Sequence, residues 1–277
     1  STNNSLKRLK PGFEAPICTV TSLGLSPENP SRNRTVLAGL IRDFNSPMAT
    51  RFELRSPNPH SNTYLVMAAS YMGMLDGIVY AAENNKTEDE LLAELSKKAG
   101  ESADYLEKSR AYRAEDNIFE DFTEAERNKY FGKAPATVYE NLSQLESNPS
   151  KLKCLKKNDV FTDSIINSFK LAFIERWTTE ITHRVIKNYM NEIRSFKPIH
   201  SVDKALDLDI SNWTKINNLR MYLMKDTYNS KSLFTKISQA FENEDYADAS
   251  RLYLELEDKM SELRSLYSIY EKNLLDI

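Results

Sequence analysis

Glycine and proline are concentrated near the start of this chain, and their uneven distribution constrains the fold more than any other feature of the sequence. Five of the seven glycines and seven of the ten prolines precede residue 80. Both residue types mark turns and irregular backbone. We therefore predict loops and short strands up to about residue 60 and an almost wholly helical region over residues 61–277. The predicted fold class is α+β and predominantly α, with a short stranded, loop-rich segment ahead of a long helical region.

Local signals mark several helices in this second region. Residues 87–90 and 123–126 are capping boxes, in which a threonine and the glutamate three positions later satisfy the first backbone amides of a helix. Residues 162–196 lack glycine and proline and repeat apolar side chains at helical spacing, which predicts one long helix. In a final helix over about residues 247–274, the apolar spacing of four and three indicates a coiled-coil-like seam. Such a seam is typical of an intramolecular helix pair.

An apolar helix is predicted directly after the loop-rich segment. Asn62 can cap it, and Leu65, Met72 and Ile78 belong to an apolar stripe of 3.6-residue period. Because most sides of this helix are apolar, we predict that it is well buried. No uninterrupted apolar run approaches the length of a membrane span, and no signal peptide is evident, so we expect a cytoplasmic protein with no membrane partner.

Net charge argues against a nucleic-acid-binding protein, and cysteine content argues against a cysteine-based metal or redox site. The net charge of −3 offers no basic surface of the kind that nucleic acids require, so we expect no nucleic-acid partner. Cys18 and Cys154 are the two cysteines, and neither belongs to a metal-binding or redox motif. We predict that both are free thiols.

The polar residues of one predicted strand are candidates for chemistry. Residues 50–55 alternate polar and apolar side chains, which places Arg51, Glu53 and Arg55 on one face. The rigid fork of arginine suits phosphate and carboxylate oxygens, and a glutamate can ligate a hard divalent cation. The alternative interpretation is a set of surface ion pairs around a strand.

Four short motifs, each of which contains arginine, follow one another within the first 60 residues. They are SLKRLKPGFEAP at residues 5–16, NRT at 33–35, LIR at 40–42 and RFELRSPNP at 51–59. Their order and content resemble the glutamine synthetase family, and the likeness continues through residues 62–65 and 75–78. The resemblance implies a C-terminal piece of the catalytic domain at 1–83, a helical C-terminal region of that domain at 84–198, and a helical extension at 199–277.

The resemblance implies an ATP-dependent ligase that makes glutamine from glutamate and ammonia through a γ-glutamyl phosphate, with ATP and Mg²⁺ or Mn²⁺ as cofactors. Fixed arginines and cations suit such phosphoryl chemistry. Glu14 would lie in a loop that closes over the site and helps to deprotonate ammonium. By motif, the other roles would be glutamate binding by Arg8 and Arg55, neutralisation of the transferred phosphoryl group by Arg34, nucleotide binding by Arg42 and Arg51, and metal ligation by Glu53.

The resemblance covers only part of such an enzyme, because the family's other metal ligands precede these motifs. We therefore expect a fragment that is inactive alone, from an enzyme that works as a ring-shaped homo-oligomer with neighbouring subunits completing each site. One alternative is a helical interaction or regulatory module that retains a degenerate ligase segment. Another is a related γ-glutamyl amide ligase, since such enzymes share these arginines.

Overall fold

The structure is a computed structural model that describes residues 18–43, 45–57, 61–103, 105–133, 135–201 and 203–273. It combines a small three-stranded sheet with many helices, which confirms the predicted α+β, predominantly α class. Two of the predicted site residues, Arg8 and Glu14, lie outside the described residues.

The elements follow the predicted order of strands before helices. The strands are β1 (Cys18–Ser22), β2 (Val36–Ile41) and β3 (Arg51–Leu54). The helices are α1 (Thr63–Glu83), α2 (Glu88–Leu95), α3 (Ile118–Asp121), α4 (Glu124–Phe131), α5 (Val138–Ser147), α6 (Pro149–Lys156), α7 (Asp163–Thr179), α8 (Ile186–Ser195), α9 (Asp207–Met224), α10 (Leu233–Glu242) and α11 (Tyr246–Asn273). Both predicted capping boxes are formed, at the starts of α2 and α4.

The chain divides into two compact units. The first comprises the described residues up to Ala136 together with Gln144–Asp163, and the second comprises Thr137–Ser143 and the described residues from Ser164 onward. The boundaries drawn from the resemblance, after residues 83 and 198, remain a prediction.

The sheet of the first unit has the order β1-β2-β3. β1 and β2 are parallel, and β2 and β3 are antiparallel. Alternate residues of β1 are buried, and a core forms on that face from Cys18, Val20, Val36, Ile118 and Phe131. This core connects the strands to α3 and α4, so the loop-rich segment is anchored on helices that come later in the chain.

The second unit is a helical bundle. α7 and α8 are continuous through a π-helical turn over Glu180–Val185, which confirms the single long helix predicted from the sequence. α11 packs against α9 and α10, and the predicted seam is buried there at Leu256, Met260, Leu263 and Tyr270. The seam is therefore part of an intramolecular core, as expected.

The region after residue 61 is less helical than predicted. The described residues of the segment 96–117 contain no helix, and part of this segment lies beside β1. The Thr21 amide donates to the Tyr112 carbonyl over 2.8 Å, and the Ala114 amide donates to the Thr21 carbonyl over 3.0 Å. The segment satisfies its backbone groups by pairing with a distant strand, and that pairing leaves little trace in the local sequence.

The predicted burial of α1 is wrong, although its Asn62 cap is confirmed. Met72 is its one buried residue, whereas Tyr64 is 85% and Ile78 is 66% exposed. No element within the described residues covers this outer face. α1 is long enough and apolar enough to cross a membrane, with a mean hydropathy of 1.4 over 18 residues. Core helices of soluble proteins meet the same two criteria.

A tight turn between β1 and β2 requires glycine at residue 24. Gly24 has φ +83°, and a Cβ there would lie 2.7 Å from the Ser31 nitrogen and 2.8 Å from the Asn29 carbonyl oxygen. Left-handed backbone alone costs an alanine about 1–2 kcal/mol, and the two backbone clashes add to this. We expect Gly24→Ala to lower the free energy of unfolding by more than that amount, measured by urea denaturation and by hydrogen exchange in β1 and β2.

Gly100 provides a matched control for this substitution. It also has a positive φ, +97°, but an added Cβ would meet no atom within 4 Å. Gly100→Ala should therefore show the backbone cost without the clash. Equal losses of stability in the two variants would contradict the proposed crowding at Gly24.

Candidate functional site

β3 brings three of the predicted site residues into contact. The Arg55 Nε lies 3.1 Å from Glu53 Oε1, and an Arg51 guanidinium nitrogen lies 3.8 Å from Glu53 Oε2. The Arg55 side chain is 12% exposed and that of Arg51 is 59% exposed, so Arg55 is the arginine that the fold holds in place. The ion pairs of the alternative interpretation are thus present, on the shared face that the alternation predicts.

Arg55 occupies a space that a glycine leaves open. Its backbone amide donates to the Leu37 carbonyl over 2.8 Å, and its Nη1 lies 3.4 Å from the Val36 carbonyl oxygen. Gly39 pairs with Glu53 across the β2–β3 ladder. A Cβ at Gly39 would lie 2.9 Å from the Arg55 Nη1. The guanidinium therefore lies flat against β2 where a side chain would otherwise stand.

The register of the ladder separates the arginines into two pairs. Ile41 pairs with Arg51, so Arg42 and Arg51 lie at one end, whereas Arg34 precedes β2 and Arg55 follows β3 at the other. Arg51 and Arg55 are four positions apart, which corresponds to about 14 Å along an extended strand. A polyphosphate at one pair of arginines and a second anionic group at the other pair could therefore be bound at the same time.

Arg34 is exposed, and the residues on either side of it are fixed. The Asn33 side-chain amide donates to the Asp116 carbonyl. The Asn33 side-chain oxygen accepts from the Thr35 amide over 2.9 Å and from the Thr35 hydroxyl over 2.6 Å. The Ile118 amide in turn donates to the Thr35 hydroxyl over 3.2 Å. In the NRT motif, two anchoring side chains thus flank the exposed guanidinium of Arg34.

A half-buried carboxylate, which no sequence motif indicates, lies beneath the same segment. Glu115 accepts hydrogen bonds from the Leu23 amide at 3.1 Å, the Gly24 amide at 2.9 Å, the Arg113 Nε at 2.9 Å and the Ser22 hydroxyl. Burial alone would raise the pKa of the Glu115 carboxyl, but these hydrogen bonds outweigh it and hold the pKa below its ordinary value. The carboxylate is therefore ionised at neutral pH.

The described residues do not form a complete divalent-cation site. They contain no group of three or more histidine, cysteine, aspartate or glutamate side chains placed to hold a metal ion. Glu53 has two arginine neighbours and could supply one carboxylate ligand at most. Mg²⁺ takes about six oxygen ligands in octahedral geometry, several of them usually water or substrate phosphate, so its remaining ligands would have to come from other groups.

Comparison with known proteins points to one family for the first part of the chain. Residues 1–110 match the family described as the catalytic domain of glutamine synthetase. Glutamine synthetase of Azotobacter vinelandii is 35% identical over 129 residues, which cover 43% of this chain and 26% of that protein. Glutamine synthetase of Frankia alni is 43% identical over 77 residues, which cover 28% of this chain and 15% of that protein.

These matches cover less than half of this chain and an even smaller part of each relative. A third relative, glutamine synthetase of Pseudomonas taetrolens, is 34% identical over 129 residues, again 43% of this chain and 26% of the relative. The chain thus spans about a quarter, or less, of the length of the curated relatives that it matches. No solved structure matches the chain.

Proposed function

Because residues 1–110 match the catalytic domain of glutamine synthetase, we propose that this chain supplies the arginine-bearing segment of a ligase that makes glutamine from glutamate and ammonia. ATP would phosphorylate the side-chain carboxylate of glutamate, and ammonia would then displace phosphate from the γ-glutamyl phosphate. Both steps develop negative charge on phosphoryl oxygens, which fixed guanidinium groups stabilise.

One observation carries the proposal: the matched segment places Arg55 3.1 Å from Glu53, largely shielded from solvent, in the space beside Gly39. A guanidinium that is fixed before the substrate binds loses little freedom on binding it, and its fork suits a carboxylate. We assign Arg55, with Arg8, to the substrate carboxylates. Arg34 is assigned to the transferred phosphoryl group.

The nucleotide belongs at the opposite end of the ladder in this proposal. Arg42 and Arg51 are both exposed there, and Arg51 would exchange its contacts with Glu53 and the Ala49 carbonyl for phosphate oxygens of ATP. Bound Mg²⁺ or Mn²⁺ would neutralise phosphate charge, and Glu53 would supply one of its ligands. Glu14, in the SLKRLKPGFEAP motif, would accept a proton from ammonium. Neighbouring subunits of a ring-shaped cytoplasmic oligomer would supply the groups that this segment lacks.

A hybrid enzyme tests this proposal directly. In it, residues 1–136 of this chain, which include the matched residues 1–110, replace the corresponding segment of the Azotobacter vinelandii glutamine synthetase, so the arginines move together with the core that supports them. The hybrid should release phosphate from ATP in a manner that depends on glutamate and ammonium. A hybrid that folds and assembles but has no such activity would contradict the proposal.

The chain by itself is expected to be inactive. A single carboxylate such as Glu53 cannot hold the two or more cations that the reaction uses, and the described residues offer no further metal cluster. We expect no ATP- and glutamate-dependent phosphate release from the purified 277-residue chain in Mg²⁺ or Mn²⁺. Release above that of the Arg55→Lys variant would show that this prediction is wrong.

A helical interaction module is the second candidate function. The family match ends at residue 110, and the second unit has its own buried core around Leu256, Met260 and Leu263. Such a unit can fold and bind a partner without taking part in catalysis. This candidate gains support if the hybrid enzyme is inactive although it is correctly folded.

A further inference from the structure

We propose that Glu115 is a positioning residue for Arg34, because it fixes the segment between β1 and β2 from which Arg34 projects. The inference rests on the proposed function, in which Arg34 binds a phosphoryl group. The role of Glu115 follows from its contacts in this structure.

Glu115 fixes the first half of the segment through one carboxylate. Its oxygens accept from the amides of Leu23 and Gly24 and from the buried Ser22 hydroxyl. A serine hydroxyl has a single hydrogen, so Ser22 must accept the hydrogen bond that joins it to the Ser31 hydroxyl. The carboxylate thereby holds Ser31 as well, close to the end of the turn.

Arg113 strengthens the same anchor. Its Nε donates to Glu115 over 2.9 Å, and another guanidinium nitrogen donates to the Gly24 carbonyl over 2.8 Å. Both polar groups of Gly24 are therefore bound by the pair Arg113 and Glu115. Hydrogen bonds to a charged partner are stronger than neutral ones, so this anchor is a stiff one.

The second half of the segment is held by the residues that follow Glu115. The Asp116 carbonyl accepts from the Asn33 side chain, and the Ile118 amide donates to the Thr35 hydroxyl. Residues 115–118 of one stretch thus hold both ends of the segment, and Arg34 lies within the second anchor, between Asn33 and Thr35, with its side chain exposed. Releasing Glu115 should free the first anchor and loosen the stretch that carries the second, and so let the backbone of Arg34 vary.

Two substitutions remove the anchor in different ways. Glu115→Ala removes every acceptor at once. Glu115→Gln keeps the shape but replaces one carboxylate oxygen by an NH₂ group, which cannot accept from the backbone amides. Glu120→Ala is the matched control, since it removes a glutamate charge from an exposed position nearby on α3.

The first measurement is amide hydrogen exchange in the full 277-residue chain. Exchange at Leu23 and Gly24 should become about tenfold faster, or more, in both Glu115 variants and should stay unchanged in Glu120→Ala. Retained protection in β2 and α4, which belong to the same compact unit, shows that this unit is still folded. Unchanged exchange at Leu23 and Gly24 would overturn the proposal.

The second measurement separates positioning from general stabilisation. Inorganic phosphate is titrated into the chain and its Kd is read from the NMR signal of the Arg34 Nε–H group. Arg34→Ala, followed through the amide signals of residues 33 and 35, should weaken phosphate binding about tenfold, and Glu115→Ala about threefold to tenfold. The double variant should bind no more weakly than Arg34→Ala, because Glu115 acts through Arg34.

The other possible results of the phosphate titration can be told apart. Additive losses in the double variant would show that Glu115 acts on another group and would overturn its role toward Arg34. If the wild-type chain does not bind phosphate at Arg34, the proposed role of Arg34 fails, and the role of Glu115 in catalysis fails with it. Exchange at Leu23 and Gly24 would still decide whether Glu115 fixes the segment.

Discussion

Arg55→Lys in the hybrid enzyme is expected to lower kcat/KM by about tenfold to a thousandfold, at about 1.4 kcal/mol for each factor of ten. Lysine keeps the positive charge but loses the planar fork that can bind a carboxylate through two parallel hydrogen bonds. The Arg55 guanidinium is 12% exposed and is held by Glu53, so its position is set before any substrate arrives. The melting temperature should change little.

The ion pair with Glu53 provides the competing explanation for Arg55. If Arg55 served the fold alone, the pattern would invert, with a lower melting temperature and an unchanged kcat/KM for each folded molecule. Arg51→Lys is a useful comparison, because that residue is exposed and lies 3.8 Å from the same carboxylate. Equal kcat/KM in the wild-type hybrid and the Arg55→Lys hybrid, at saturating metal, would remove Arg55 from the site.

Local sequence predicted those features of the fold that depend on neighbouring residues. The cap at Asn62 and the capping boxes at Thr87 and Thr123 form as expected, since each uses backbone amides two or three positions away. The alternation in residues 50–55 likewise placed Arg55 beside Glu53 on one strand face. These features need no knowledge of what packs against them.

Features that depend on distant partners could not be predicted in this way. Burial of α1 was expected from its composition, but burial requires an element on the other side, and the described residues provide none for Tyr64 or Ile78. Glu115 is 92 residues from Leu23 in sequence, so no local pattern indicates their hydrogen bond. The site residues were therefore selected by motif, and their supporting residues were found in the structure.

Gly39→Ala is expected to reduce kcat/KM of the hybrid at least about tenfold while leaving its stability unchanged or slightly higher. The new Cβ would lie 2.9 Å from Arg55 Nη1 and 3.1 Å from Nη2, so the guanidinium must move. The displaced atoms are the far end of a flexible side chain, and moving them costs the fold little. In strands, alanine is favoured over glycine by about 0.5–1 kcal/mol, which offsets that cost.

Gly73→Ala is the control for the glycine substitution itself, because an added Cβ there meets no atom within 4 Å. It should leave kcat/KM unchanged and raise the melting temperature slightly, because alanine is favoured over glycine inside a helix by about 0.8–1.0 kcal/mol. The decisive comparison combines the two site substitutions: Gly39→Ala should cost little further activity once Arg55 is lysine, since the group that it displaces is already gone. Full activity in the Gly39→Ala hybrid would mean that the position of the Arg55 guanidinium does not matter for the reaction, and Arg55 would then be a structural residue of the β2–β3 ladder.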